Sequence, residues 1–167
     1  LDRFVDRLEA ELPPLAWIDN LERATLDAPP PQGFQIAPSA SGAMRVAVTP
    51  DAATCAECLA EVSDPFTRRY RYPFASCTHC GPRFSIVDGH PYDREKTSMR
   101  SFAMCAACRE EYVSASDRRF HAQPIACHAC GPRAWLEHLG GGAVHAEAFS
   151  MMDDVDAAGG ALMNGYI

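Results

Sequence analysis

Cysteines stand at positions 55, 58, 77, 80, 105, 108, 127 and 130, in two copies of C-x2-C-x18-C-x2-C. Three chemistries use paired cysteines. Disulfide frameworks suit short secreted chains, but here every cysteine sits in a C-x-x-C pair and no secretion signal precedes them. Redox C-x-x-C motifs come singly beside a βαβ unit, not four in tandem. Iron–sulfur clusters also take four thiolates, with closer and less symmetric spacing. Structural zinc fits best. A C-x-x-C turn aims two sulfurs at one point, and a second turn some 15–20 residues on completes a tetrahedron. The reading is two Zn²⁺ ions, with Cys55, Cys58, Cys77 and Cys80 on one and Cys105, Cys108, Cys127 and Cys130 on the other. An interleaved cross-brace is the alternative, at the expense of longer loop closures.

The elements that must position these sulfurs are themselves duplicated. "ATCAEC" at 53–58 returns fifty positions on as "AMCAAC", "RRY" at 68–70 as "RRF", and "CTHCGPR" at 77–83 as "CHACGPR". A repeat of that period predicts two units that fold alike. Gly81 and Gly131 each follow a second C-x-x-C; the expectation is a turn at positive φ whose N–H groups donate to the thiolates. Pro82 and Pro132 fix the chain's exit. His79, His121 and His128 are read as surface or supporting rings, since four thiolates already satisfy zinc. Arg68, Arg69, Arg71, Arg118 and Arg119, with Tyr70, Tyr72 and Phe120, could track a nucleic acid by charge and stacking. The alternative is salt bridges to neighbours such as Asp64 and Asp117, together with charge balance for the thiolates.

Charge favours that alternative. The 167 residues carry a net charge of −7. Residues 50–135 are nearly neutral before their thiols are counted, and two zinc-bound thiolate quartets add about −4. That weighs against nucleic acid as a partner. No apolar stretch approaches a membrane span, and nothing reads as a secretion signal. Few large apolar residues lie between 50 and 136, so the metal is expected to supply much of the stability there.

Outside the repeats, Leu1, Phe4, Val5, Leu8 and Leu12 predict an amphipathic helix ended by Pro13 and Pro14. Residues 15–26 are expected as an edge strand, "APPPQG" at 28–33 as a stiff connector, and "FQIA" and "MRVAV" as short strands. Between the repeats come a short strand, a turn at Asp88-Gly89 and a polar link. Gly140–Gly142 predict a flexible turn. A short helix capped by Asp153 or Asp154 should cover Val155, Ala158, Leu162 and Met163, weakened by Gly159 and Gly160 and ended by Gly165. Starting at Leu1 and stopping at Ile167, the sequence is expected to be cut from a longer protein. The fold class is a small, zinc-stabilised, irregular α+β arrangement: two tandem four-cysteine zinc-finger units flanked by partial α/β elements.

Residues 50–136, through "PDAATCAECLAEVSDPFTRRYRYPFASCTHCGPRFSIV", "PYDREKTSM" and "CAACREEYVSASDRRFHAQPIACHACGPR", resemble the zinc-finger region of the HypF family of hydrogenase maturation carbamoyltransferases. The resemblance implies a layout: 1–27 as the closing helix and strand of an acylphosphatase-like domain, 28–50 a linker, 51–86 the first finger, 87–102 an inter-finger link, 103–136 the second finger, 137–152 a linker, and 153–167 the opening of a YrdC-like domain. It also implies an activity for the whole protein. Carbamoyl phosphate is activated with ATP, and the carbamoyl group passes through an adenylate to the C-terminal cysteine of HypE, supplying a cyanide ligand of [NiFe]-hydrogenases. The expected setting is cytoplasmic. No catalytic or nucleotide-binding residue can be assigned here. The family's acylphosphatase Arg and Asn are expected before Leu1, Asn20 is no substitute for them, and no phosphate-cradling glycine loop is present. The fragment alone is therefore expected to be inactive. The competing reading is a free-standing double zinc module that binds nucleic acid or protein.

Overall fold

The computed structural model describes residues 2–25, 27–29, 33, 49–135, 139–140 and 154–165. Four α-helices lie among them: α1 at Asp2–Ala10, α2 at Ala56–Ser63, α3 at Ala106–Val113 and α4 at Asp154–Met163. Short 3-10 turns cover Thr78–Cys80, Phe84–Ile86, Arg94–Lys96 and Ser98–Ser101. The β component among the described residues is one isolated antiparallel bridge, Val87 to Thr97. The chain is the small, irregular, zinc-finger type of fold that the cysteine spacing implied.

Helices α2 and α3 open the two repeats at the same place. Each starts directly after the first cysteine of its unit, with Cys55 and Cys105 as extended N-cap residues. The Cys55 sulfur accepts the Cys58 amide at 3.4 Å, doing at a helix start what a serine or aspartate usually does. Each helix lasts eight residues, too short to stand alone in water, so tertiary contacts must hold it. The chain then returns through stacked turns to the second C-x-x-C. At the bottom of that return, Arg71 and His121 both adopt positive φ, at 59° and 52°. A side chain there costs roughly 1–2 kcal/mol. The strain is offset by a bond back to the helix: Arg71 N–H to Val62 O at 2.8 Å, and His121 N–H to Tyr112 O at 2.9 Å.

The apolar core is small. Tyr72, Ala75, Met99 and Ala126 form a cluster that draws on both repeats and on the segment between them. Ala122 and Ile125 form a second with Cys108 and Cys127, and Cys58, Cys77 and Cys80 a third. The stretch expected to be a polar link is built into this core. Thr97 and Met99 are buried. Arg94 donates to Gln123 O at 2.7 Å, Ile125 O at 2.9 Å and Phe102 O at 2.9 Å, tying the segment to the second repeat. Phe84–Ile86, expected as strand, makes a 3-10 turn instead.

The flanks agree in part. Helix α1 is present and stops before Pro13, with Phe4 and Leu8 on its exposed surface. Residues 15–25 form no strand. A strand needs a neighbour to pair with, and no strand lies among the described residues to provide one. Helix α4 runs through Gly159 and Gly160 and ends at Met163, two residues before Gly165, whose φ is 74°. The two short strands expected near 34–37 and 44–48, the Asp153 cap and most of the Gly140–Gly142 turn lie outside the described residues.

Candidate metal centres

The structure gathers the eight cysteines into two quartets, each from one repeat: Cys55, Cys58, Cys77 and Cys80, and Cys105, Cys108, Cys127 and Cys130. Within each, all four sulfurs lie within 4.8 Å of one another. Individual separations are 3.5 Å for Cys55–Cys77 and 4.0 Å for Cys77–Cys80. In the second quartet they are 3.8 Å for Cys105–Cys127, 3.8 Å for Cys127–Cys130 and 3.5 Å for Cys108–Cys130. A zinc ion with Zn–S bonds of about 2.3 Å sets a tetrahedral edge of about 3.8 Å. The sulfurs therefore stand where a four-thiolate zinc site needs them, and far beyond the roughly 2.05 Å of a disulfide. None of the eight is in a disulfide. The two groups are consistent with two zinc ions, one per repeat, and the cross-braced arrangement is not the one formed.

Without metal, a quartet cannot carry four negative charges, and its protons are shared unevenly. A hydrogen bond from Cys58 holds the Cys77 thiol down at about 4, and the same bond pushes Cys58 up. Burial raises Cys55 to about 11 and Cys108 to about 12. The amide of Cys108, donating to sulfur, lowers Cys105 to about 7. A divalent cation at the centre removes the conflict by stabilising every thiolate at once.

Arginines complete each site, and they come from the other repeat. Arg118 and Arg119 approach Cys58 Sγ at 2.8 and 3.8 Å. Arg68 and Arg69 approach Cys108 Sγ at 3.2 and 3.5 Å. Their carboxylate partners are Glu61 and Glu111. Glu61 pairs with Arg69 at 3.0 Å and with both Arg118 and Arg119. Glu111 pairs with Arg68 at 2.5 Å and Arg69 at 2.6 Å. Burial would raise the Glu111 carboxyl, but these guanidiniums outweigh it and hold it near about 2. The expectation of salt bridges and thiolate charge balance holds, while the partners named for it do not. Asp64 and Asp117 instead accept backbone amides, of Phe66 at 3.0 Å and Arg119 at 2.7 Å. Glu61 and Glu111 were missed, though both stand three residues after a helical cysteine, on the same helix face and at matching repeat positions.

The glycines need a different account from the one expected. Their amides donate to carbonyls, Gly81 to Thr78 O at 3.0 Å and Gly131 to Cys127 O at 2.9 Å. Gly81 does have positive φ, 75°. Gly131 does not; it is required because a Cβ there would run into the Tyr72 hydroxyl and lie 2.5 Å from Ala126 Cβ. The histidines stay off the sulfurs. His128 Nε2 meets Tyr70 O at 2.8 Å and its ring packs edge-on against Tyr72, while His121 packs against Tyr112 and Phe120. His79 Nδ1 lies 4.0 Å from Glu57. Asn20 donates to Glu22 at 3.0 Å on the surface.

Two four-sulfur quartets on duplicated, helix-poor units define a tandem four-cysteine zinc-finger module. The sequence match narrows the class: residues 54–87 and 104–137 each fit the HypF finger. The chain is 52% identical over 105 residues to the carbamoyltransferase HypF of Rhodobacter capsulatus, covering 62% of this chain and 14% of that protein. It is 47% identical over 99 residues to the carbamoyltransferase HypF of a Synechocystis strain, covering 59% and 13%. Among solved structures, it superposes on T. kodakarensis HypF with a TM-score of 0.61 at 45% identity, over 78% of this chain and 16% of that one. A full-length HypF in a phosphate- and nucleotide-bound form gives a TM-score of 0.58 at 48% identity, over 71% and 14%. The match thus spans about one-seventh of each relative's length. No helix among the described residues is long and apolar enough to cross a membrane.

Proposed function

We propose that this chain is the zinc-stapled connector of a carbamoyltransferase that uses carbamoyl phosphate and ATP to carbamoylate the C-terminal cysteine of HypE during [NiFe]-hydrogenase maturation. The observation that carries this reading is the pair of HypF fingers, each with its four sulfurs already at tetrahedral spacing. Cys55, Cys58, Cys77 and Cys80 hold one zinc ion, and Cys105, Cys108, Cys127 and Cys130 the other. The zinc supplies no reaction step; it cross-links knuckles that a small core cannot hold. On this reading residues 1–27 close an acylphosphatase-like domain and 153–167 open a YrdC-like one, joined to the fingers by 28–50 and 137–152. The fingers, 51–86 and 103–136 with the link 87–102, then set the distance and orientation between catalytic domains. Cysteines held by metal rather than by disulfides suit a reducing cytoplasm.

The nucleic-acid reading loses its main support, because the guanidiniums of Arg68, Arg69, Arg118 and Arg119 are taken up by carboxylates and sulfurs. Two assays test the connector. In an intact enzyme of this family, Cys77→Ser with Cys127→Ser should abolish carbamoyl transfer; full activity would refute the scaffold. The isolated 167-residue chain should show neither acylphosphatase activity nor carbamoyl-phosphate-dependent conversion of ATP to AMP.

A further inference from the structure

The arginine contacts cross the boundary between the repeats in both directions, and each spans two knuckles of its target. Arg119 belongs to the second repeat. Its Nη2 reaches Cys58 Sγ at 3.8 Å and its Nε donates to Ser76 O at 3.1 Å, the carbonyl just before Cys77. One guanidinium therefore touches both knuckles of the first quartet. Arg69 of the first repeat does the same to the second, with Cys108 Sγ at 3.5 Å and Ala126 O, just before Cys127, at 2.8 Å. Both side chains are buried. Arg118 and Arg68 add a second donor to the same sulfurs. The helices lock the pattern. Glu61 sits one turn beyond Cys58 and holds Arg118 and Arg119; Glu111 sits one turn beyond Cys108 and holds Arg68 and Arg69.

Each arginine is delivered by the return loop of its own finger, between that finger's two knuckles. A finger that has not closed on its metal cannot hold the loop in place. We infer that the two zinc sites are reciprocally coupled. Metal at one site orders the finger whose arginine aligns the two knuckles of the other. Arg119 and Arg118 are positioning residues for the Cys55–Cys80 site, and Arg69 and Arg68 for the Cys105–Cys130 site. Supporting hydrogen-bond donors typically carry ten- to hundredfold in metal affinity. Because the coupling is a free energy between sites, each ion must favour the other equally.

The inference rests on the zinc reading, and native mass spectrometry of the unaltered chain separates the two. At one zinc equivalent per chain, coupled sites populate mostly metal-free and two-zinc species. Independent sites leave about half or more of the chains with one ion. A dominant one-zinc species overturns the coupling alone, whereas failure to take up two zinc ions overturns the metal reading with it. A second measurement assigns the residues. During chelation of the zinc-loaded chain, Arg119→Gln should speed alkylation of Cys55, Cys58, Cys77 and Cys80 by about tenfold, ahead of the cysteines of its own finger. Arg69→Gln should do the reverse. If either variant releases its own finger's cysteines first, its arginine is local support for that finger and the crosswise assignment is wrong.

Discussion

At position 75 the first finger carries alanine; at the matching position 125 the second carries isoleucine, fully buried. Around Ile125 the second finger builds an apolar cluster of its own from Ala122, Cys108 and Cys127, with Tyr112 and Met104 against it. The first finger's interior is little more than its cysteines: Cys58, Cys77 and Cys80, with Cys55 beside them. Its other buried apolar residues, Tyr72 and Ala75, face a seam shared with Met99 and with Ala126 of the second finger. From the first knuckle to the start of the second, the two backbones trace the same turns. Once a fold is closed by metal, a copy can lose its own core as long as its twin supplies a surface to lean on.

The hardest test of that difference is removal of the metal. Structural zinc contributes an apparent ~10–16 kcal/mol per site in small finger peptides. Complete chelation should therefore collapse residues 49–135, read as loss of helical circular dichroism. Hydrogen exchange should then rank the fingers, with residual protection around 122–125 outlasting any at 72–75. Unchanged circular dichroism in metal-free protein would break the argument at its root, and protection surviving first in finger 1 would invert the comparison.

The carboxylates come next. Glu61 serves three arginines and Glu111 two, and Arg69, which touches both, is buried. Removing one partner of a buried ion pair costs about 3–5 kcal/mol, because the charge left behind has no water to turn to. Glu61→Gln should approach that range. Glu111→Gln should cost less, since Arg69 keeps Glu61. Denaturant unfolding of the zinc-loaded variants measures both, and equal losses would show that the network is more symmetric than its contacts.

The glycines sharpen the comparison at a smaller scale. Gly131→Ala drives a methyl into the Tyr72 hydroxyl and Ala126, an overpacking worth about 1–3 kcal/mol. Gly81→Ala meets a strained φ and the tip of Leu15, at 2.8 Å, which can swing away. It should cost less, about 1–2 kcal/mol. Tyr72→Phe supplies the control. It loses one bond to Pro132 O, at 3.2 Å, worth about 1 kcal/mol, yet should partly rescue Gly131→Ala by removing the atom in the way. Additive losses in the double variant would mean that the glycine is needed for something other than Tyr72.

Much of this was legible before the structure. Sulfur spacing and the fifty-residue repeat gave the module, and apolar periodicity gave α1 and α4. The unread parts are those with no local signature. Arg71 and His121 take a left-handed backbone usually marked by glycine or asparagine, and only the bond back to each helix makes it tolerable. The crosswise arginines depend on how two copies dock, which one copy's sequence does not encode. The strand expected at 15–26 finds no strand to pair with among the described residues, and Trp17 in that stretch is exposed. Gly131 looked like a copy of Gly81, yet a side chain from the other finger, Tyr72, is what excludes a Cβ there.

The smallest effect should come from the first finger's outer face. Leu59 and Phe66 are exposed there, Phe66 at 96%, where the second finger places Arg109 and Ser116. A phenylalanine so exposed has almost no apolar area withdrawn from water, so the hydrophobic term that burial gives an aromatic ring is absent. The turn around it is held by other groups. Asp64 Oδ1 accepts the Phe66 amide at 3.0 Å, and Thr67 Oγ1 donates to Glu61 O at 2.6 Å. Neither needs the ring. Phe66→Ser, which writes the second finger's residue into the first, should therefore move the unfolding free energy of the zinc-loaded chain by no more than about 0.5 kcal/mol. The same exchange in reverse, Ser116→Phe, should be equally silent, because Ser116 is exposed and its hydroxyl meets that of nearby Ser114, at 3.1 Å. A loss of several times that size in Phe66→Ser alone would mean that the first finger does use its apolar surface for stability. Its dependence on metal and twin would then be weaker than its interior indicates.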